Sequence, residues 1–274
     1  MTKLKIITVV IDPGMYERFF MTNPVVNGSD LESIDNRQHN RGLPIIYNEL
    51  IARYLDANCW LLFVHEDFEI KGGLSVIDTL DSRCIYGTFG LNFENNSPVP
   101  YGRHTCSNKD GTRAVEVGQV VVDPVAVQTL DCQSVLVHTT LLRDNPGLRF
   151  DEQLTFDLYA EDFCINAKYK LGITSKVFPL TFQHYSHGSI TDRYHSGIRY
   201  LSHKYPDVAV AGSCSFIGGR SAELEKYFVY GVGQVQRVPT APIAPTSPIA
   251  PAVLLAPTLF ARVKTYLGRL SRRL

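Results

Sequence analysis

The segment Leu61-Leu62-Phe63-Val64-His65-Glu66-Asp67-Phe68-Glu69-Ile70 changes character abruptly at its middle. Trp60 to Val64 is an unbroken apolar run, long enough for a strand buried on both faces. It stops at His65-Glu66-Asp67. Burying two carboxylates inside a sheet is costly, so these acids belong where the strand leaves the core. In an open α/β sheet that end of a strand opens into the ligand crevice. A hard cation, held by one or two carboxylates together with substrate phosphates, suits such a place. The tripeptide alone also reads as a solvated acidic turn.

Working outward on the N-terminal side, Ile6 to Ile11 is a β-branched run of the kind found in buried parallel strands. Asp12-Pro13-Gly14 breaks it, and Tyr16 to Met21 reads as a short helix. Leu31 to Ile34 is a second short strand, closed by Asp35-Asn36. The turn Asn40-Arg41-Gly42-Leu43-Pro44 then starts a helix with Pro44 near its first turn. Ile46, Leu50, Ile51, Tyr54 and Leu55 recur on it at helical spacing. Strand, short strand, helix and strand in this order form a βαβ layout and predict a parallel sheet.

Beyond the acidic turn, Leu74 to Leu80 reads as a short amphipathic helix and Cys84 to Phe89 as a strand. Asn92 to Gly111, rich in Asn, Pro, Gly and Ser, reads as one long loop. Val115 to Val122 reads as a strand, and Val125 to Val137 as another with Asp131 in its middle. Leu158 to Ile165 runs into a helix that ends at Gly172. Val177 to Phe182 is the last expected strand, and helical stretches follow near Asp192–Tyr205 and Ser221–Tyr230.

The 274 residues suffice for one large domain with a full core. The 27 basic and 27 acidic residues cancel, but unevenly. From Gly231 onward there are six bases and no acid, so residues 1–230 carry 21 bases against 27 acids. An acidic body argues against nucleic acid as a partner. The six cysteines are scattered with no C-x-x-C pair, and Met1 to Lys5 lead straight into a strand without a signal-peptide core. Reduced thiols in a cytoplasmic protein are the expectation.

Taken in order, five pieces resemble the GT-A-fold nucleotide-sugar glycosyltransferases of the family 2-like group. They are Asp35-Asn36, Asn40-x-Gly42 with Tyr47-Asn48, Phe63-Val64-His65-Glu66-Asp67, Phe150-Asp151-Glu152 with Tyr159-x-Glu161-Asp162, and His184-x-Ser186-x-Gly188. The likeness spans residues 4–190. It implies a Rossmann-like GT-A domain over residues 1–232, a mostly parallel sheet flanked by helices. Asp35 matches the acid that recognises the donor base, with Asn36, Asn40 and Glu66 also on the donor side. His65-Glu66-Asp67 stands where the family has D-x-D, with Asp67 as the metal-binding acid and His65 replacing the first Asp. Asp162 matches the catalytic base, and His184 or His187 a histidine that completes the metal site.

The implied activity is metal-dependent, inverting transfer from a nucleotide-diphosphate sugar, with Mn²⁺ or Mg²⁺ as cofactor. A cell-envelope polysaccharide or lipid-linked glycan is the implied acceptor. Read singly, Asp35-Asn36 is also a turn pair and Glu161-Asp162 also a helix N-terminal acid pair favoured by the macrodipole. His184 and His187 singly are exposed loop residues. A metal-dependent phosphoesterase or nucleotidyltransferase would also place carboxylates at strand ends. A non-catalytic membrane-associated scaffold is the other alternative.

Residues 233–257 form a Pro-rich linker, with Pro239, Pro242, Pro245, Pro248 and Pro251 at a spacing of three. That period is the turn of polyproline II, at about 3.1 Å per residue. Over residues 258–274, Leu259, Phe260, Val263, Tyr266, Leu267, Leu270 and Leu274 fall within roughly a 120° arc. Arg262, Lys264, Arg269, Arg272 and Arg273 lie outside it, the pattern of an interfacial helix. The expected partner is the anionic inner face of the cytoplasmic membrane, each basic residue adding on the order of 1 kcal/mol. Deleting residues 258–274 is therefore expected to release the protein from anionic vesicles in a sedimentation assay. A truncated protein that still pellets would make the segment a protein contact instead.

Overall fold

The computed structural model describes residues 3–94, 97–106, 115–186, 191–213 and 215–219. The linker over 233–257, the amphipathic helix over 258–274 and the helical stretch over 221–230 lie outside these residues, as does His187. The first half of the chain forms β1 (Leu4–Val10), α1 (Pro13–Tyr16), β2 (Asp30–Asp35), α2 (Leu43–Tyr54), β3 (Trp60–His65) and β4 (Phe68–Gly72). Next come β5 (Ile85–Gly87), β6 (Gly90–Glu94), β7 (Ser97–Tyr101), β8 (His104–Cys106) and β9 (Val115–Val117). β10 (Val125–Val127), β11 (Thr129–Leu130), β12 (Ser134–His138), α3 (Thr139–Asp144) and α4 (Tyr159–Leu171) follow. The described chain closes with β13 (Ser175–Val177), β14 (Thr181–His184), α5 (Asp192–Lys204), β15 (Ala209–Ala211) and β16 (Phe216–Gly218).

The central sheet has seven strands in the order β10-β13-β5-β12-β3-β1-β2. β1 is parallel to β2 and β3, and β13 to β5, whereas β12 and β10 run antiparallel to their neighbours. Most strands thus point one way, and the layout is a mixed α/β fold compatible with a Rossmann-like sheet. Both faces are covered, which is why the strands read as continuous apolar runs. Ile7, Val9, Leu61, Phe63, Val135 and Val137 face one core with α2, α4 and α5. Ile6, Trp60, Leu62, Val64 and Leu136 face the other, where Phe19, Phe20 and Val26 pack with Phe68 and Phe182.

β4 leaves the central sheet immediately after the acidic turn and joins a four-stranded sheet ordered β4-β14-β8-β9. Its partner β14 lies antiparallel, with His184 opposite Phe68. Among the described residues no helix is long and apolar enough to cross a membrane.

Four expectations need correction. Asn92–Gly111 is not one loop, because β6 pairs with β7 from Gly90↔Tyr101 to Glu94↔Ser97 and β8 joins the small sheet. Pro98 and Pro100 lie in β7, which ends the β11-β6-β7 sheet and meets Gln119 on its other side through a single bridge at Tyr101. An edge strand tolerates proline, which composition reads as a loop signal. Val125–Val137 is three short strands, and Asp131 sits in the turn before β12 with Oδ1 accepting the Gln133 amide at 3.0 Å. Val177–Phe182 is split between β13 and β14, which belong to different sheets. The strand expected over Val115–Val122 ends at Val117, and Val120 and Val122 are exposed.

Candidate functional site

β1, β2 and β3 end together. Their register sets Val9 opposite His65 and Val10 opposite Asp35, so the sequence breaks after all three strands fall on one edge of the sheet. Because β2 and β3 flank β1 on opposite sides, the strand order reverses there, and such an edge is where open α/β sheets bind ligands. β12 runs the other way, so its leading turn, Asp131-Cys132-Gln133, starts at this same edge.

Three side chains converge on it. His65, Asp67 and His184 each offer a ligand atom, all within 4.8 Å of one another. His184 Nε2 lies 3.1 Å from Asp67 Oδ1. This meeting follows from the pairing of β14 with β4, reinforced by the Tyr185 amide donating to the Asp67 carbonyl at 2.8 Å. Burial alone would raise the Asp67 carboxyl. The adjacent His184 cation, through its charge and its hydrogen bond, outweighs it and holds Asp67 well below the usual carboxylate range. Burial alone would lower His184, but Asp67 pushes it up. Burial lowers His65, which stays a neutral imidazole stacked on Phe156 at 5.4 Å. Two imidazoles and one carboxylate form a donor set suited to a first-row transition ion, and more to Mn²⁺ than to Mg²⁺. His65 as a third donor was not legible in the motif, where its position belongs to an acid.

The remaining site residues are held in different ways. Glu66 turns its Oε2 to the amides of Ile11 and Asp12, at 2.6 and 2.8 Å, and so clasps the end of β1 to the end of β3. Asp35 is exposed at the end of β2 and forks with Arg37 at 2.9 and 2.5 Å, which lowers its carboxyl to about 2. Asn36 is buried and closes the following loop on itself, donating to the Arg41 carbonyl and accepting the Arg41 amide, both at 2.9 Å. Asn40 sits in that loop at φ 43°, a left-handed conformation that asparagine tolerates. Asn48 reaches from α2 to both backbone groups of Phe150, at 2.9 and 3.0 Å.

The acid pair opening α4 divides between two environments. Asp162 is buried, and its Oδ1 accepts from Lys204 Nζ at 2.7 Å and Tyr205 Oη at 2.8 Å. Burial raises its carboxyl, with Lys204 offsetting part of the effect. Lys204 also pairs with Asp151, which accepts from Tyr200 Oη at 2.6 Å. Glu161 instead faces Cys132 and Ser213, accepting from the thiol at 3.2 Å and from the hydroxyl at 3.3 Å. Burial and then the Asp131 charge push its carboxyl up to about 8. A cavity of about 470 Å³ is lined by Thr88, Arg103, Glu116, Phe178 and Phe182 among others. None of the three converging side chains lines it.

No family model and no curated protein matches the chain. Among solved structures it is similar to A197 from STIV, with a TM-score of 0.40 and 10% identity over 70% of this chain and 87% of that one. It is also similar to a glycosyltransferase involved in the glycosylation of the major capsid of PBCV-1. There the TM-score is 0.34 and the identity 11%, over 70% of this chain and 97% of that one. Likeness at this level carries no weight for activity.

Glu161 makes a pH signature. The folded chain keeps a proton on it up to about pH 8, whereas an unfolded chain releases that proton near 4.5. Between those values the folded state binds the extra proton, so this group's contribution to stability falls as pH rises. Glu161→Gln is expected to gain on the wild type steadily from pH 5 to 8 in thermal midpoint. A difference between the two proteins that stays flat with pH would contradict the burial of an ionisable Glu161.

Proposed function

We propose that this chain is a metal-dependent glycosyltransferase of GT-A type, moving a sugar with inversion from a nucleotide-diphosphate donor to a hydroxyl acceptor. The observation that carries the reading is the convergence of His65, Asp67 and His184 at the reversal of strand order. Asp35 lies on the same edge, two strands away, or about 10 Å at the usual strand spacing. In this reading Asp35 holds the donor base, with Asn36 and Asn40 shaping the loop beside it. Glu66 keeps the ends of β1 and β3 together under the diphosphate. Asp67 and His184, joined by His65, are the proposed metal residues, and His187, outside the described residues, is a further candidate. A divalent cation bound there supplies charge neutralisation for the departing nucleoside diphosphate.

The acceptor hydroxyl is a poor nucleophile until a carboxylate takes its proton. Asp162 has this role in the proposal. Lys204 and Tyr205 orient it through Oδ1, and a carboxyl raised above its ordinary value is a better base than an exposed one. One base opposite the leaving group gives single displacement with inversion, by analogy with inverting glycoside chemistry. The acceptor is a cell-envelope polysaccharide or a lipid-linked glycan, reached from the membrane face to which the basic tail attaches. A phosphoesterase or nucleotidyltransferase would use the same strand-end carboxylates but release monophosphate or pyrophosphate.

Asp67→Ala is expected to abolish Mn²⁺-dependent binding of nucleoside diphosphates in isothermal titration while the protein stays folded. Unchanged affinity would remove Asp67 from the metal site. Asp162→Asn keeps the shape of the side chain but cannot accept a proton. Donor binding should survive, and transfer should drop by roughly 10²–10⁴-fold. Near-normal turnover would move the base elsewhere, with Glu161, Asp157 and Asp151 next in line. Release of anything but nucleoside diphosphate from a panel of nucleotide sugars would defeat the reading as a whole.

A further inference from the structure

Tyr159, the first residue of α4, is buried and held edge-on against Tyr47 at 5.7 Å and Phe150 at 5.6 Å. Its hydroxyl stands between two partners. The Cys132 carbonyl oxygen is 2.6 Å away and His65 Nε2 is 2.8 Å away. A carbonyl oxygen can only accept, so the single phenolic proton goes to Cys132. The same phenolic oxygen then presents a lone pair to Nε2, and a bond of this length requires the proton to be on that nitrogen. An imidazole able to bind a cation is neutral and carries one N–H. With that proton on Nε2, the free lone pair is on Nδ1.

We infer that Tyr159 is a positioning residue that fixes His65 as its Nε2–H tautomer and commits it to bind a divalent cation through Nδ1, beside Asp67 and His184. The inference rests on the metal reading of this site. It gives the histidine that stands in place of the family's first acid a defined coordinating atom. Ligating histidines commonly hand their second N–H to an outer partner, which fixes ring orientation and raises ligand basicity. Here that partner is a phenol whose own proton is anchored on the backbone.

The surroundings make the arrangement rigid. Gln133, next to Cys132, accepts the His65 amide at 3.2 Å, so one turn holds both the His65 backbone and the Tyr159 proton. Phe156 stacks on the imidazole at 5.4 Å with an interplanar angle of 22°, which limits rotation of the ring. Immediately before Tyr159, Leu158 is held at φ 65°, and no side chain caps the helix. A left-handed leucine is strained, typically by about 1–3 kcal/mol, and persists where its surroundings over-determine it. It brings the helix in sharply enough for its first side chain to meet His65.

The test uses the full chain, MnCl₂ without nucleotide, and Tyr159→Phe, which keeps the ring and removes the hydroxyl. ¹⁵N NMR of the metal-free wild type is expected to show His65 as the Nε2–H tautomer. In Tyr159→Phe the Nδ1–H form should appear, and Mn²⁺ affinity by titration should fall about 10–100-fold. A second pair of variants reads the ligating atom directly. The amide of His65→Asn reaches the Nδ1 position, and that of His65→Gln reaches the Nε2 position. Tighter Mn²⁺ binding by His65→Asn than by His65→Gln is expected. An Nδ1–H wild type, an unaltered tautomer in Tyr159→Phe, or tighter binding by His65→Gln would each overturn the inference. A wild type that shows the Nε2–H tautomer but binds no Mn²⁺ would overturn the metal reading, and the role of Nδ1 with it.

Discussion

The contact between Asp67 and His184 is the one on which the rest of this site depends. A mostly buried carboxylate is expensive to keep ionised unless a positive partner or a cation stands against it. His184 supplies that partner from 117 residues away in sequence. It does so because β4 turns out of the central sheet directly after the acidic turn and takes β14 as its neighbour. The small sheet is thereby more than a flap over the large one. Its register sets His184 beside Asp67, and a slip by one residue would turn His184 to the opposite face.

Around this contact, the end of the sheet is knit by side chains that bind backbone groups. Glu66 binds two amides at the end of β1, and Asn36 binds both backbone groups of Arg41. Tyr159 binds the Cys132 carbonyl, and Asn48 the backbone of Phe150. Loops at the ligand edge of an α/β sheet carry many polar groups that no ladder satisfies. Using side chains of the site to satisfy them makes those loops firm. That suits a site in which the groups facing substrate must stay within a few tenths of an ångström of their places.

The acid pair on α4 illustrates how burial separates two neighbouring carboxylates. Asp162 shares Lys204 with Asp151, an ion cluster that ties α5 to α4 and keeps Asp162 ionisable. Glu161 meets a thiol, a hydroxyl and a backbone amide but no cation, with the Asp131 charge nearby, so its proton is retained near neutrality. Adjacent residues on a helix point about 100° apart, and here that rotation decides which acid meets a lysine. Breaking such a cluster by removing Lys204 leaves a buried charge uncompensated, which is strongly destabilising in general.

Much of the frame was written in local patterns. The runs Ile6–Ile11 and Trp60–Val64, the spacing of Ile46, Leu50 and Ile51, and the break at His65-Glu66-Asp67 identify a parallel α/β sheet with acids at its ligand edge. These signals survive because burial on both faces demands continuous apolar strands, and a charged residue ends them at once. Where pairing rather than burial governs, local reading fails. Pro98 and Pro100 look like loop residues yet lie in β7, and Val177–Phe182 looks like one strand yet serves two sheets. Only the tertiary structure made His65 a donor beside Asp67, gave Tyr159 its hold on that imidazole, and sent Asp162 to Lys204 while Glu161 met Cys132. Composition and spacing name the groups available for chemistry. Which of them touch is set by strand register and helix rotation, and those are fixed by contacts between residues far apart in the chain.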